Sequence, residues 1–241
     1  MQYAEPIIEY LCPACGNPYF GSGIASYSIL HCELYSDGYV ENFCGSRLWL
    51  TRCPRCKSYF ANEHLFRIPM TASMRRLVRF EATSALGNRP DPAMPRYYSK
   101  NLCGRLESVL DEGESVLSFL EKASYKGLYF PIRVSEESRR SCEFRLKRSL
   151  WWEYNRAREE VEDFVYDALC NDLIDMLKKW PRLDKYAELT LAELYRNIAD
   201  FDSSLEHLKN VEITDKTAPI VSCIMRKIED ESTLVALVLS K

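Results

Sequence analysis

The chain carries the same short turn motif twice, as Cys12-Pro13-Ala14-Cys15-Gly16 and as Cys53-Pro54-Arg55-Cys56-Lys57. In each copy a proline fixes φ at the first turn position, and Gly16 permits a tight turn after the first pair of thiols. Two such turns supply the four tetrahedral thiolates that Zn²⁺ prefers. The sequence therefore predicts one structural Zn²⁺ held by four cysteines: Cys12, Cys15, Cys53 and Cys56.

The type of metal site follows from the ligand set. Four thiolates leave no position for a water molecule, so we expect the metal to be structural and not catalytic. Its binding energy would help to fold a segment that is too small to fold alone. Redox-active CxxC pairs and thiols without metal are the alternative interpretations.

Four more metal-binding or nucleophilic side chains lie in the first part of the chain: His31, Cys32, Cys44 and His64. They raise the alternatives of a second metal site or a Cys/His nucleophilic pair. His31 and Cys32 are neighbours on a predicted strand and so point to opposite faces, which argues against joint ligation. We interpret the set as structural or surface residues, with Cys44 as an alternative ligand.

The composition is that of an ordinary globular protein. The chain has 241 residues, 46% of them hydrophobic and 28% charged, with a net charge of −3. The length suits one large domain or two small ones. The net charge provides no overall attraction to nucleic acid or to acidic membranes. No apolar run approaches the roughly 20 residues of a membrane span, and the first residues do not resemble a secretory signal. We therefore expect a cytoplasmic protein whose remaining cysteines are reduced and fill the core: Cys103, Cys142, Cys170 and Cys223.

The periodicity of the apolar residues changes along the chain. Strands are predicted at 24–34 and 48–51, with a turn at Ser36-Asp37-Gly38 between them. From Thr71 onward the spacing is helical, interrupted by a Pro-rich connector at 88–98 and an extended segment at 127–134. Helices are predicted at 71–86, 102–124, from Ser135 past Trp152, and at 161–180, 186–198, 201–208, 216–228 and 232–239. Short connections imply stacked antiparallel hairpins, so the predicted fold class is α+β with a small β region before a mainly α-helical one.

Several motifs resemble an uncharacterised group of bacterial proteins. The two cysteine motifs, the Tyr35-Ser36-Asp37-Gly38 turn and Tyr59-Phe60 resemble its N-terminal zinc ribbon. Trp151-Trp152-Glu153-Tyr154-Asn155 and residues 192–205 resemble its C-terminal tetratricopeptide-like region, with Ala199 in place of the usual glycine. The resemblance implies a zinc ribbon at 1–67, a helical connector with a Pro-rich loop at 68–134 and tetratricopeptide-like hairpins at 135–241. Because no clean repeat period is present, the term "tetratricopeptide-like" describes the geometry of the helical hairpins and does not assign them to a family.

The main functional hypothesis is a non-enzymatic adaptor whose helical surface binds a protein partner. Stacked hairpins create the extended surfaces that such proteins use. Trp151 and Trp152 are the candidate partner-binding residues, because neighbours about 100° apart on a helix cannot both occupy the centre of one buried face. One of them is expected at an edge or interface, where tryptophan is favoured.

The alternative hypothesis is a nucleic-acid-binding protein. Basic residues surround the second cysteine motif and continue into the next predicted helix: Arg52, Arg55, Lys57, Arg75, Arg76 and Arg79. With Tyr59 and Phe60 they would form a surface that follows phosphates and stacks bases. Further basic residues occur between 139 and 148, although acidic residues are interspersed and a charge run is commonly a solvated helix face.

Nothing in the sequence indicates an enzyme. The chain lacks a P-loop, a dinucleotide-binding glycine motif, an HExxH zinc motif and a GxSxG elbow. Its three histidines offer little material for general-base catalysis. We therefore expect no catalytic residues, no small-molecule substrate and no membrane partner.

Overall fold

The chain combines short strands with helices. The structure is a computed structural model that describes residues 7–16, 18–22, 33–41, 49–61, 66–67, 110–111, 113–180 and 185–240. Within these residues, strand hairpins and a cysteine cluster lie near the N-terminus, and six α-helices follow in the C-terminal part. The prediction of a cysteine-bearing β region before a helical region is confirmed.

Some predicted elements lie outside the described residues. These are the strand at 24–34 apart from its last two positions, the helix at 71–86 and the Pro-rich connector at 88–98. Of the remote cysteines, Cys103 is outside as well, whereas Cys142 and Cys170 are buried and Cys223 is half-buried.

The described strands form three small antiparallel sheets. They are β1 (Ile7–Leu11), β2 (Pro18–Ser22), β3 (Glu33–Tyr35), β4 (Val40–Glu41), β5 (Leu50–Arg52), β6 (Tyr59–Ala61), β7 (Phe66–Arg67) and β8 (Leu237–Ser240). The sheet orders are β2-β1-β7, β4-β3-β8 and β5-β6. The predicted turn at Ser36-Asp37-Gly38 connects β3 to β4, and Gly38 has the positive φ (76°) that such a turn favours.

The helices mostly follow the predicted periodicity. They are α1 (Val116–Lys126), α2 (Glu136–Arg156), α3 (Asp163–Lys178), α4 (Lys185–Asn197), α5 (Phe201–Lys209) and α6 (Ala218–Glu229), with a 3₁₀ turn at Arg158–Glu160. Ser135 caps α2 as predicted, since its hydroxyl accepts from the Ser138 N–H at 3.2 Å. Asp200 caps α5 by accepting from the Ser203 N–H at 3.1 Å.

The predicted helix at 102–124 is wrong in its described first part. Gly113 has φ of 78°, which a right-handed helix cannot accommodate. The Ser115 hydroxyl then accepts from the Ser118 N–H at 3.1 Å, so the helix begins only at Val116.

The predicted helix at 232–239 is also wrong, because this segment contains strand β8. α6 ends at Glu229, and Glu231 turns the chain away with φ of 48°. β8 then pairs antiparallel with β3, placing Leu34 opposite Leu239. A short apolar run is compatible with both a strand and a buried helix, so periodicity alone does not separate them.

The last three helices share an apolar core. α4 packs against α3 and α5, and α6 packs against α4, α5 and β8. The buried core side chains are Leu189, Ala192, Leu208, Val211, Ile220, Val221, Ile224 and Ile228. Between α4 and α5 the chain turns at Ala199, which has φ of 61°. This is the position where the resemblance has alanine in place of glycine.

The described residues group into two compact units. The unit with the cysteine cluster, here called the cysteine unit, lies within Met1–Ser28 and Cys44–Arg139, and the helical unit lies within Ile29–Phe43 and Arg140–Lys241. This grouping differs from the predicted ranges 1–67, 68–134 and 135–241 because β3 pairs with β8 and therefore belongs to the helical unit. Whether the predicted ranges fold independently stays a prediction. The described part of the chain contains no helix with the length and apolar character needed to cross a bilayer.

Candidate metal centre

The second cysteine turn is built into the β5–β6 hairpin. β5 leads directly into Cys53, whose N–H donates to the Ser58 carbonyl at 2.9 Å. The Lys57 N–H donates back to the Cys53 carbonyl at 2.9 Å, and Lys57 takes a left-handed conformation with φ of 58°. The hairpin therefore fixes the backbone on both sides of the two thiols.

The first cysteine turn repeats this geometry at the end of β1. The Gly16 N–H donates to the Cys12 carbonyl at 2.9 Å, and Gly16 has φ of 68°. Gly16 and Lys57 occupy equivalent positions, one residue after the second thiol. Only glycine adopts this conformation without a steric cost, so the first turn is the less strained of the two.

The four thiols converge on one point. All four Sγ atoms lie within 4.8 Å of one another. Cys12 Sγ is 3.7 Å from Cys56 Sγ, and Cys15 Sγ is 3.7 Å from Cys53 Sγ. A tetrahedral zinc with Zn–S bonds of about 2.3 Å needs sulfur atoms about 3.8 Å apart. The donor set therefore fits a Zn²⁺ ion held by these four residues.

One side of the cluster is packed and the other faces solvent. Cys12, Cys53 and Phe60 form a small buried apolar cluster, whereas Cys15 and Cys56 are exposed. Burial raises the pKa of the Cys12 thiol to about 12 and also raises that of Cys53, although backbone N–H groups in each turn act in the opposite direction. A divalent cation would supply the positive charge that lets buried thiols ionise.

Cys56 differs from the buried thiols in its titration. Burial acts to raise its pKa, but contacts with Ser58 and with neighbouring cysteines outweigh it and lower the pKa to about 6. The Ser58 hydroxyl lies 3.4 Å from Cys56 Sγ. Cys56 on the exposed side therefore ionises more readily than the two buried thiols, which suits a first ligand for an incoming ion.

A buried ion pair lies directly beside the cluster, and sequence reasoning missed it. Arg52, the residue before Cys53, donates from Nη1 and Nη2 to the Glu114 carboxylate at 3.2 and 2.8 Å. The Arg52 guanidinium also lies over the Phe119 ring at 5.2 Å. The two partners are separated by 62 positions in the sequence, and no local pattern links them.

The packing around Arg52 decides which residues of the nucleic-acid prediction are accessible to a nucleic acid. Arg52 is 6% exposed, Tyr59 2% and Phe60 0%, so none of the three presents a surface to a nucleic acid. Tyr59 packs edge-on against Phe119 with ring centroids 5.2 Å apart. Arg55 and Lys57 are exposed as that prediction requires. The other residues of the prediction and the candidate second site lie outside the described residues: Arg75, Arg76, Arg79, His31, Cys32, Cys44 and His64.

The candidate partner-binding tryptophans of α2 have different environments. Trp151 is fully buried, and its indole N–H lies 3.2 Å from Asn197 Oδ1. It therefore has no exposed surface for direct contact with a partner. Trp152 is half-buried, and its indole N–H donates to the Asp37 carbonyl at 3.0 Å. Its ring also meets Tyr39 at 5.7 Å, so it contacts this chain's own turn.

A buried polar network, which no sequence motif indicates, holds the Ser36–Asp37 turn in the helical unit. The Ser36 hydroxyl donates to Glu193 Oε1 at 2.5 Å. Glu193 and Arg196 are both 0% exposed and form an ion pair at 2.6 Å. The Arg196 guanidinium also donates to the carbonyl of Ser232. These bonds satisfy polar groups that would otherwise be costly to bury.

Asp37 extends this network toward α2. Its Oδ2 accepts from Asn155 Nδ2 at 2.7 Å, and its Oδ1 accepts from the Tyr39 N–H at 2.9 Å. Burial raises the pKa of Asp37 to about 6, and the Glu193 carboxylate adds to this effect while the two donors oppose it. The network joins positions 118 residues apart, which no sequence motif indicates.

Comparison with known proteins adds no relative. No protein-family model matches this chain, and no curated protein or solved structure matches it either. The resemblance to bacterial proteins with a zinc ribbon and tetratricopeptide-like hairpins stays a prediction.

Proposed function

We propose that this protein is a non-enzymatic, zinc-binding cytoplasmic adaptor that binds a protein partner through its helical unit. The observation that carries the proposal is the closed cluster of four thiols. A Cys₄ site without an open position serves to fold the chain, so the metal supplies structure and the function is assigned to a surface.

Exposed apolar side chains support the helical unit as that surface. Phe164, in the first turn of α3, is 70% exposed, Tyr186 at the start of α4 is 52% exposed, and Ile213 is 62% exposed. Aromatic residues of this kind are enriched at protein interfaces. The packing of α4 against α3 and α5 agrees with the finer proposal of tetratricopeptide-like hairpins, which present extended surfaces to partners.

The metal part of the proposal is tested by metal stoichiometry. We expect purified wild-type chain to hold one Zn²⁺ and Cys53→Ser to lose it, with elemental analysis as the measurement. Cys223→Ser is the matched control, because Cys223 is half-buried and lies outside the cluster. A wild-type chain that takes up no zinc under reducing conditions would contradict the proposal.

The partner part is tested by crosslinking with mass spectrometry on the full chain. We expect crosslinks to a reproducible partner that are lost in Phe164→Ser and kept in Tyr125→Ser. Tyr125 is 93% exposed and belongs to the cysteine unit, so it controls for loss of a surface aromatic residue. Equal crosslinking by both variants would argue against the helical unit. Binding to single-stranded DNA or RNA at low salt, measured by gel shift, would instead favour the nucleic-acid alternative.

A further inference from the structure

One face of α2 alternates cationic and aromatic side chains. Phe144, Arg148, Trp152 and Arg156 are spaced by four residues and so lie along the same side of the helix. The Arg148 guanidinium lies 5.5 Å from the Phe144 ring centroid and 4.9 Å from that of Trp152. Arg156 lies 3.4 Å from the Tyr39 ring centroid. Both arginines are thus positioned by aromatic rings.

The two arginines differ in how their charge is balanced. Arg156 donates to the Glu153 carboxylate at 2.7 Å. Arg148 forms no ion pair with any residue that the structure describes, and its Nε is buried without a hydrogen-bond partner. Burial and then the nearby positive charge of Arg145 lower the pKa of Arg148. Within the part of the chain that the structure describes, Arg148 is therefore a shielded cation without an anion.

Aromatic stacking does not remove this imbalance. A ring attracts a cation but provides no hydrogen-bond acceptor in the guanidinium plane. A buried donor without an acceptor destabilises the fold, and an apolar side chain of similar length would fill the same space without that cost. Nε itself is buried beyond the reach of a partner, whereas Arg148 as a whole is half-buried. An acceptor from another molecule would therefore meet the terminal nitrogens Nη1 and Nη2, and such an acceptor explains an arginine at this position.

We infer that Phe144, Arg148 and Trp152, here called the Arg148 face, bind a carboxylate side chain from an acidic segment of a partner protein. The inference rests on the proposed adaptor function and names the chemistry of its partner. A single guanidinium fork matches one carboxylate in a bidentate geometry. The buried Phe144 ring positions that fork from the core side, and the half-buried Trp152 ring beside it offers apolar contact to the neighbouring residues of the segment.

A labelled peptide tests this inference on the full, zinc-loaded chain. The probe is a fluorescein-labelled peptide of ten glutamates, with ten glutamines as the uncharged comparison, and fluorescence anisotropy at low salt is the measurement. We expect Arg148→Met to weaken binding of the glutamate peptide about ten- to a hundredfold, the effect of losing a hydrogen-bonded charge. Arg140→Met, an exposed residue on the same helix, is the matched control and should bind within about twofold of wild type.

Thermal stability provides a second, independent readout. Because Arg148 is a shielded cation without an anion, we expect Arg148→Met to raise Tm by about 2–4 °C while it weakens binding. If Arg148 were purely structural, Arg148→Met would lower Tm. A lowered Tm together with unchanged peptide binding would overturn the inference. Arg148→Lys keeps the charge without the fork. It should fold as wild type and still bind more weakly, so the inference is tested even if Arg148→Met does not fold.

The outcomes separate this inference from the proposed function. If crosslinking finds a partner that Arg148→Met still captures fully, the Arg148 face does not bind that partner and the adaptor function stands. If the glutamate peptide requires Arg148 but crosslinking finds no partner, the adaptor function fails and the carboxylate site stands. Equal binding of the glutamate and glutamine peptides overturns the carboxylate assignment. The assignment is also overturned if inorganic phosphate competes with the glutamate peptide and binds more strongly than it does.

Discussion

Replacing Glu114 by glutamine should destabilise the cysteine unit by about 3 kcal/mol. The Glu114 side chain is 4% exposed and accepts from Arg52 and from Lys122, each at 2.8 Å. Although burial alone would raise it, these partners lower the pKa of Glu114 from 4.5 to about 2. At about 1.4 kcal/mol per unit, this shift corresponds to about 3 kcal/mol, at the lower end of the cost of breaking a buried ion pair.

Urea unfolding of the zinc-loaded chain and the rate of zinc transfer to a chelator measure this effect. Asp111→Asn is the control, because Asp111 lies 3.2 Å from the same guanidinium but is 63% exposed, and its loss should cost under about 1 kcal/mol. Since the folded-state pKa of Glu114 is lowered, its contribution is present above pH 4.5 and is lost as the pH falls toward 2. Equal losses in Glu114→Gln and Asp111→Asn would refute the reasoning.

Three further predictions concern the helical unit. Because burial raises the Asp37 pKa, ionisation of Asp37 disfavours the fold, and wild type should lose stability as the pH rises from about 4 through 6. Asp37→Asn should abolish this loss, and Tm measured against pH checks it. Glu193→Gln should cost about 3–5 kcal/mol in urea unfolding because it leaves Arg196 buried without its partner, whereas Glu153→Gln, in a partly exposed pair, should cost under about 1 kcal/mol. Ala199→Gly should stabilise by about 0.5–1 kcal/mol because it removes the cost of a left-handed alanine, and an unchanged or lower Tm would contradict this.

The cluster of four cysteines was predictable because its chemistry is local. Each CxxC turn sets its own geometry within four or five residues. The fold has only to bring the two turns together for their four soft thiolate ligands to surround one point. Helices with long amphipathic patterns, such as α3, were predictable for the same reason, since their signal repeats within one element. Gly113 lies inside the predicted helix at 102–124, and its positive φ is where the described part of that helix fails to form.

The parts that sequence reasoning missed depend on distant residues. The ion pair of Arg52 with Glu114 spans 62 positions, and the contact of Ser36 with Glu193 spans 157. A charged residue beside a cysteine motif has the same sequence pattern whether it faces solvent or a buried carboxylate. β8 was missed because its pairing partner, β3, is more than 200 positions earlier, and the pairing decides between strand and helix.

The pairing of β3 with the end of the chain has a consequence for how the protein is made. Both cysteine turns are complete once residue 56 has been synthesised, so zinc can bind early. The Ser36 hydroxyl, however, accepts from the Ala236 N–H, a residue 200 positions later. At about 5–20 residues per second the ribosome needs about 10–40 s to supply it. During that interval β3 is an edge strand that lacks one of its neighbours, and a chaperone that covers strand edges would be most useful to this protein then.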